Sequence, residues 1–134
     1  MPHLQYEVNR SLDADARTAL VEWTTEQYSE TMDTGTGHIA VTIRELDGTA
    51  LALGRAPEGE PVAVLNADVR AGRSADQRTS FASAVIEYLD AEIGVPAPHC
   101  YVVYTEHDGP DFVLDEGPLA AWSDAEAGDT DPTG

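Results

Sequence analysis

The residue with the clearest chemical potential is Pro2, which directly follows the initiator Met1. Initiator methionine is normally removed before a small residue, so we expect the mature chain to begin with a secondary amine. An α-amino group has a pKa of about 7.7 to 8.0, and burial or nearby cations lower that pKa. The amine of Pro2 is therefore a candidate base or nucleophile near neutral pH.

Two arginines, Arg70 and Arg73, are candidates for the same site. All 7 basic residues are arginines, against 25 acidic residues, so the formal charge is −18 and each cation stands out. Two guanidiniums can bind a carboxylate through paired hydrogen bonds and polarise a neighbouring carbonyl group. Beside Pro2 they would create a pocket for a small carboxylate. The simpler alternative is that they cap loops or pair with Asp68 and Asp76.

The elements that position these residues follow a repeated order. Apolar alternation predicts four strands, and helical spacing predicts a helix after the first and third of them. Ser74 and Gln77 form a capping box that starts the second helix. Gly35 and Gly94 are predicted to end the two helices as left-handed caps. The predicted spans, in chain order, are 3–9, 13–32, 38–46, 61–70, 74–93 and 99–105.

The two halves of the chain look like copies of one strand-helix-strand unit. Three residue pairs lie 59 to 61 residues apart at matching points: Pro2 and Pro61, Arg10 and Arg70, His38 and His99. We expect an α+β fold in which each unit joins parallel strands by a right-handed crossover. A pseudo-twofold axis then gives one four-stranded sheet with two helices on one face. That topology places Pro2, Arg70 and the helix turn carrying Tyr28 at the same end.

We expect a single domain over residues 1–120. Its units span 2–53 and 61–106, and a C-terminal arm spans 107–120. A chain of 134 residues can bury an adequate core without disulfides or metal. The remaining residues, 121–134, are acidic and rich in Gly, Pro and Thr, which predicts a disordered tail.

Composition excludes several kinds of partner. A strongly negative chain repels nucleic acid and anionic membranes. The same charge fits a halophile-like surface in a salt-rich cytoplasm, or simply a GC-rich codon bias. The chain shows no signal peptide and no apolar run of about 18 residues, so we expect a cytoplasmic protein. Its four histidines lack the spacing of metal ligands, so we expect no metal site.

The combination of Pro2, the duplicated unit and one motif resembles the tautomerase superfamily, whose members are similar to 4-oxalocrotonate tautomerase. The motif is Val69-Arg70-Ala71-Gly72-Arg73-Ser74-Ala75-Asp76. Within that superfamily the chain is most similar to the cis-3-chloroacrylic acid dehalogenase group, over about residues 2 to 120. The resemblance implies a homotrimer of fused two-unit chains, an N-terminal proline that acts as acid or base, and no metal or organic cofactor.

The family's functional positions are only partly matched. Pro2, Arg70 and Arg73 carry over directly. The dehalogenases of that family have a histidine near the end of the first helix, where this chain has Tyr28. A phenol can donate a hydrogen bond to a substrate carboxylate, but this departure weighs against dehalogenation.

Two further family positions match poorly. The family's fourth-strand tyrosine aligns with Val103. Tyr104 lies on the opposite strand face, whereas Tyr101 keeps the correct face and is therefore preferred. The family's water-activating glutamate would correspond to Asp115 or Glu116 if one residue is inserted.

The leading hypothesis is a keto-enol tautomerase of a small 2-oxo acid. Pro2 moves the proton, Arg70 and Arg73 hold the carboxylate, and Tyr28 or Tyr101 donates a hydrogen bond. The alternative in the same pocket is dehalogenation or hydration of a 3-haloacrylate. An alternative of another class is a ferredoxin-like regulatory domain that binds a small ligand without catalysis, in which the third strand begins as a hairpin partner.

Overall fold

Two strand-helix-strand units build the chain, as predicted. The computed structural model describes residues 2–123. Beside the main sheet, two short strands form a separate small hairpin. The elements are β1 (Pro2–Val8), α1 (Ala14–Met32), β2 (Ala40–Glu45), β3 (Ala63–Arg70), α2 (Ala75–Tyr88), β4 (Cys100–His107), β5 (Val113–Leu114) and β6 (Gly117–Pro118).

The four long strands form one mixed sheet in the order β2-β1-β3-β4. Each unit pairs its own strands in parallel, and β1 pairs with β3 in the antiparallel direction. This confirms the predicted α+β topology. The ferredoxin-like alternative is wrong, because β1 lies between β2 and β3 and these two strands therefore do not form a hairpin.

Both helices pack on the same face of the sheet. Alternate residues of β1 and β3 are buried against them, and Tyr6 of β1 reaches Thr24 of α1 with a hydroxyl-to-hydroxyl distance of 2.8 Å. The other face, called the outer face below, has no covering helix among the described elements. On that face, Tyr101 and Val103 of β4 have 45% and 41% of their surface exposed. A hydrophobic core therefore fills only one side of the sheet.

The helix ends show one correction to the sequence reading. Ser74 and Gln77 form the predicted capping box of α2, and Gly94 adopts the predicted left-handed conformation with φ 83°. For α1, however, the left-handed cap is Asp33, with φ 52°, and not Gly35. Aspartate is one of the few residues besides glycine that visits this region routinely, because its short polar side chain bonds locally.

The C-terminal part of the chain is described only up to Ser123. Most of the predicted disordered tail, 121–134, lies outside the described residues. Trp122, which the sequence reading assigns to that tail, is buried, with only 6% of its surface exposed. No helix in the described part of the chain is long and apolar enough to cross a membrane.

Candidate active site

One end of the sheet, called the Pro2 end below, gathers the start of β1 and the end of β3. The antiparallel register pairs Pro2 with Val69, so Arg70 is the next residue beyond the pair. Pro2 is buried, and Arg70 and Arg73 are only 2% and 6% exposed. Arginines are almost never so buried unless their charge has a specific role or partner. The register therefore places Pro2 and Arg70 at the same end of the sheet, as the sequence predicts, and Arg73 follows three residues after Arg70.

Arg73 is held between the end of α1 and an aromatic ring. Its Nε and Nη2 each donate to the carbonyl oxygen of Met32, both at 3.3 Å. Met32 is the last residue of α1, where carbonyl oxygens lack a partner within the helix and carry partial negative charge. The guanidinium carbon also lies 4.3 Å from the centre of the Trp122 ring, a cation–π contact.

The C-terminal segment, residues 119–122, closes over the two arginines. Arg70 donates from Nη1 to the carbonyl oxygen of Ala120 at 2.9 Å. The segment approaches closely because Gly72 has no side chain. A Cβ atom there would meet the Trp122 carbonyl oxygen at 2.5 Å, and Gly72 has a φ of +131° that favours glycine.

Tyr28 contributes a neutral hydrogen-bond donor to the same end. Its side chain is fully buried and packs edge-on against Phe81, with ring centres 5.2 Å apart. Burial raises the pKa of Tyr28 to about 12, and the nearby Arg73 and Arg70 guanidiniums act against that rise. The phenol is therefore protonated at neutral pH, and its hydroxyl has no hydrogen-bond partner among the described residues.

Tyr101, the preferred fourth-strand tyrosine, is not brought to the Pro2 end within one chain. It pairs with Val64, which lies five strand positions before Val69. At about 3.3 Å per residue this separation is roughly 16 Å. Tyr101 is also exposed on the outer face of the sheet.

The tyrosine of β4 that lies on the helix face is Tyr104. Its hydroxyl donates to the carbonyl oxygen of Arg78 in α2 at 2.8 Å. Burial raises the pKa of Tyr104, and the charge of the Tyr28 phenolate would raise it further. Tyr104 therefore lies on the helix face of the sheet, the face that the sequence reading rejected in favour of the Tyr101 face.

Asp115 and Glu116 lie outside the buried cluster. They occupy the turn between β5 and β6, and both side chains are fully exposed. A hydrogen bond between them raises the pKa of Glu116 and lowers that of Asp115, and His38 lowers both slightly. Neither carboxylate has the buried setting that shifts a carboxyl pKa strongly towards neutrality.

Two residues at the Pro2 end were missed by the sequence reading. Trp122 was assigned to the tail, although the apolar run before it, Leu119-Ala120-Ala121, is a signal for packing. His38 lies just before β2, near Ala40, which pairs with His3. Its Nδ1 is buried and has no hydrogen-bond partner among residues 2–123.

The side chains at this end are rich in hydrogen-bond donors. Guanidinium and indole groups only donate, and a protonated phenol can donate as well. The Tyr28 hydroxyl and the Trp122 Nε1 have no acceptor among residues 2–123, and such a buried donor costs about 1 to 3 kcal/mol. The arrangement is therefore complementary to an anion with several oxygen acceptors, such as a carboxylate next to a carbonyl or enol oxygen.

The fold resembles several solved structures. N1, a member of the cis-3-chloroacrylic acid dehalogenase family, is 25% identical, with a TM-score of 0.75 over 87% of this chain and 84% of that chain. The wild-type fused 4-OT symmetric trimer called Q0 and the protein Pt0534 inactivated by 2-oxo-3-pentynoate are each 18% identical. Both have a TM-score of 0.78 over 88% of this chain and 95% of theirs.

Comparison by sequence gives no match to a protein-family model or to a curated protein. The structural matches nevertheless confirm the fold that the resemblance to the tautomerase superfamily predicts. A member of the cis-3-chloroacrylic acid dehalogenase family is among them, as that resemblance also predicts.

Proposed function

We propose that this chain, which has the fold of the tautomerase superfamily, is a cofactor-independent keto-enol tautomerase of a small 2-oxo acid. One observation carries the proposal. The start of β1, with Pro2, lies against the end of β3, where Arg70 and Arg73 are buried beside a protonated phenol. Buried cations next to a potential amine base are an expensive arrangement that a purely structural role does not require.

Each group has a defined role in the proposed reaction. After removal of Met1, the neutral amine of Pro2 takes the enol hydroxyl proton and returns it to the adjacent carbon. Arg70 and Arg73 hold the carboxylate, and their charge keeps a fraction of the amine neutral by lowering its pKa. Tyr28 donates a hydrogen bond to the oxygen that changes between enol and ketone.

A relative of the same fold supports the choice of substrate class. Pt0534 is inactivated by 2-oxo-3-pentynoate, which is a 2-oxo acid of five carbons. Such a ligand carries a carboxylate and an adjacent carbonyl oxygen, which are the two acceptors that the donors at the Pro2 end suit. We infer that the substrate of this chain shares that 2-oxo acid head.

Dehalogenation or hydration of a 3-haloacrylate is the second candidate, and the similarity to N1 favours it. That reaction needs a group to activate water beside a protonated Pro2. Asp115 and Glu116 are the predicted candidates, but both are exposed at a hairpin turn and not within the cluster. Tautomerisation requires no such group, and for that reason we rank it first.

We also propose that the chain assembles as a homotrimer. The outer face of the sheet carries the exposed Tyr101 and Val103, and fused 4-OT of similar fold is a symmetric trimer. Tyr101 is about 16 Å from the Pro2 end of its own chain by strand geometry, so it can act only on the site of a neighbouring copy. Light scattering coupled to size exclusion tests this state, and a monomer mass would contradict it.

The decisive test of the tautomerase proposal compares two prolines at matching points of the two units. Pro2→Ala is expected to lower the rate of phenylpyruvate or 2-hydroxymuconate ketonisation by at least about 100-fold, since a positioned acid or base contributes about that much. Pro61→Ala removes the corresponding proline before β3 and is expected to leave the rate unchanged. Equal rates for wild type and Pro2→Ala would remove Pro2 from the mechanism.

The mass of the intact protein provides an independent check. Loss of Met1 is expected, because only then is the Pro2 nitrogen a free amine. A retained methionine would leave an amide at Pro2, which has no basic nitrogen, and proline chemistry would be ruled out.

A further inference from the structure

Trp122 is the least expected member of the Pro2 end. Only 6% of its surface is exposed, although it stands just before the acidic C-terminal stretch. Its ring face lies 4.3 Å from the Arg73 guanidinium carbon. Its Nε1 is buried and has no hydrogen-bond partner among the described residues.

The position of Trp122 is fixed by the chain around it. The C-terminal segment is tied back by the Leu119 N–H, which donates to the Phe112 carbonyl oxygen at 3.0 Å. Gly109 leaves room for the segment, because a Cβ atom there would overlap the backbone of Ala120. The indole is therefore seated by backbone hydrogen bonding and glycine contacts, and not only by its own ring.

The indole N–H can only donate a hydrogen bond. Buried tryptophans usually find a partner for this group, since leaving a buried donor unpaired costs about 1 to 3 kcal/mol. The neighbouring guanidinium of Arg73 also only donates, and so it cannot satisfy Trp122. An acceptor brought by a ligand satisfies it, and between a cation and an indole that acceptor is best an anionic oxygen.

We propose that Trp122 is a substrate-contacting residue of this site. Its indole N–H donates a hydrogen bond to the carboxylate of the bound 2-oxo acid, while its ring face holds Arg73 in place. This inference rests on the proposed function for the identity of the ligand, and it assigns to the C-terminal segment a direct part in substrate binding.

Kinetics with a matched pair of tryptophan variants test the contact. Trp122→Phe keeps a ring against Arg73 but removes the N–H, so KM for phenylpyruvate is expected to rise about 10-fold while kcat changes less than about 2-fold. Trp23→Phe is the control. Trp23 stacks on Tyr88, with ring centres 4.3 Å apart, and its replacement is expected to leave both constants unchanged.

Nuclear magnetic resonance reads the hydrogen bond without depending on turnover. The chain has only 2 tryptophans, so a ¹⁵N-labelled sample gives two indole N–H signals that the two variants assign. Saturating phenylpyruvate is expected to move the Trp122 signal downfield and to leave the Trp23 signal in place. This measurement on the wild-type protein stands even if Trp122→Phe fails to fold.

The outcomes separate the two proposals. Wild-type turnover with an unmoved Trp122 signal and a wild-type KM for Trp122→Phe would overturn the contact and leave the tautomerase intact. A moved signal without rate enhancement would support the contact and refute the tautomerase. An unmoved signal without rate enhancement would refute both.

Discussion

The two ends of the sheet have related topology but differ in whether their buried polar groups have hydrogen-bond partners. At the end away from Pro2, called the Asn9 end, every polar group of the buried Asn9 side chain has a partner. Its Oδ1 accepts from the Val62 N–H at 2.7 Å, and its Nδ2 donates to the carbonyl oxygens of Glu60 at 3.0 Å and Leu51 at 3.4 Å. These bonds tie β1 to the loop that precedes β3.

The arginines at matching points of the two units, Arg10 and Arg70, also have different surroundings. Arg10 occupies the point in the first unit that Arg70 occupies in the second, and its guanidinium donates to the carbonyl oxygens of Asn9 at 2.9 Å and Gly59 at 2.6 Å. Arg70 also donates to a carbonyl oxygen, that of Ala120 at 2.9 Å, but its side chain is buried beside Arg73 and Tyr28. The first arginine holds a loop, whereas the second belongs to a donor-rich cluster.

The Pro2 end is the one with unsatisfied buried groups. Among residues 2–123, the Tyr28 hydroxyl, the Trp122 Nε1 and the His38 Nδ1 are buried there without a hydrogen-bond partner. Buried polar groups in native proteins are nearly always paired, so three together point to a ligand-binding site. A duplicated fold therefore supplies two similar ends, and within residues 2–123 these three unpaired buried polar atoms lie at the Pro2 end, which is why the candidate site is assigned there.

The strongest way to break this comparison is to remove each of the two matching arginines. Arg70→Ala is expected to lower kcat/KM for a 2-oxo acid by about 1000-fold, because a paired charged contact with the carboxylate is lost. Arg10→Ala is expected to change it less than about 2-fold. Steady-state kinetics on variants with wild-type circular dichroism measure both, and similar losses for the two would contradict the assignment.

Asn9→Ala tests whether the Asn9 end stabilises the fold without contributing to substrate binding. Losing three hydrogen bonds and leaving the Val62 N–H unpaired is expected to lower the free energy of unfolding by about 3 kcal/mol. Urea denaturation measures this loss. KM of the remaining folded protein should stay at the wild-type value, and a large rise in KM would mean that the two ends are coupled.

The smallest expected effects are the stability changes when two buried tyrosines, one with a hydrogen-bond partner and one without, are replaced by phenylalanine. Tyr6 donates to or accepts from Thr24, so Tyr6→Phe is expected to destabilise the fold by about 1 kcal/mol. Tyr28 has no such partner among the described residues, so Tyr28→Phe is expected to stabilise it by about 1 kcal/mol while lowering activity. Denaturation midpoints give the signs, and destabilisation by Tyr28→Phe would show that its hydroxyl serves the fold.

Much of the fold is predictable from the sequence because its signals are local. Alternating apolar residues define β1 and β3, and the Ser74–Gln77 capping box begins α2 as expected. The left-handed cap of α1 is not predictable in this way. Asp33 and Gly35 are both compatible with it, and the structure ends the helix at Met32, so that Asp33 takes the left-handed conformation.

Some residues of the candidate site are likewise predictable from the sequence, and others are not. Pro2, Arg70 and Arg73 are recognisable from residue type and spacing, because the duplicated unit fixes which strand ends meet. Strand alternation puts Tyr101 and Tyr104 on opposite faces of β4, but it does not say which face the helices cover. The hydrogen bond from Tyr104 to α2 shows that the Tyr104 face is the covered one. The resemblance to a known family favoured Tyr101, whereas packing within one chain favours Tyr104.

The sequence by itself determined the repeated topology, and from it the end of the sheet at which we propose a carboxylate site. Only the tertiary structure decided what surrounds that site. Trp122 reaches Arg73 because Gly72 and Gly109 lack side chains, and the contact with Gly72 joins residues that are distant in the chain. Local pattern encodes strands and helices, but the pairing of buried donors depends on which distant groups meet, and that is a property of the folded chain alone.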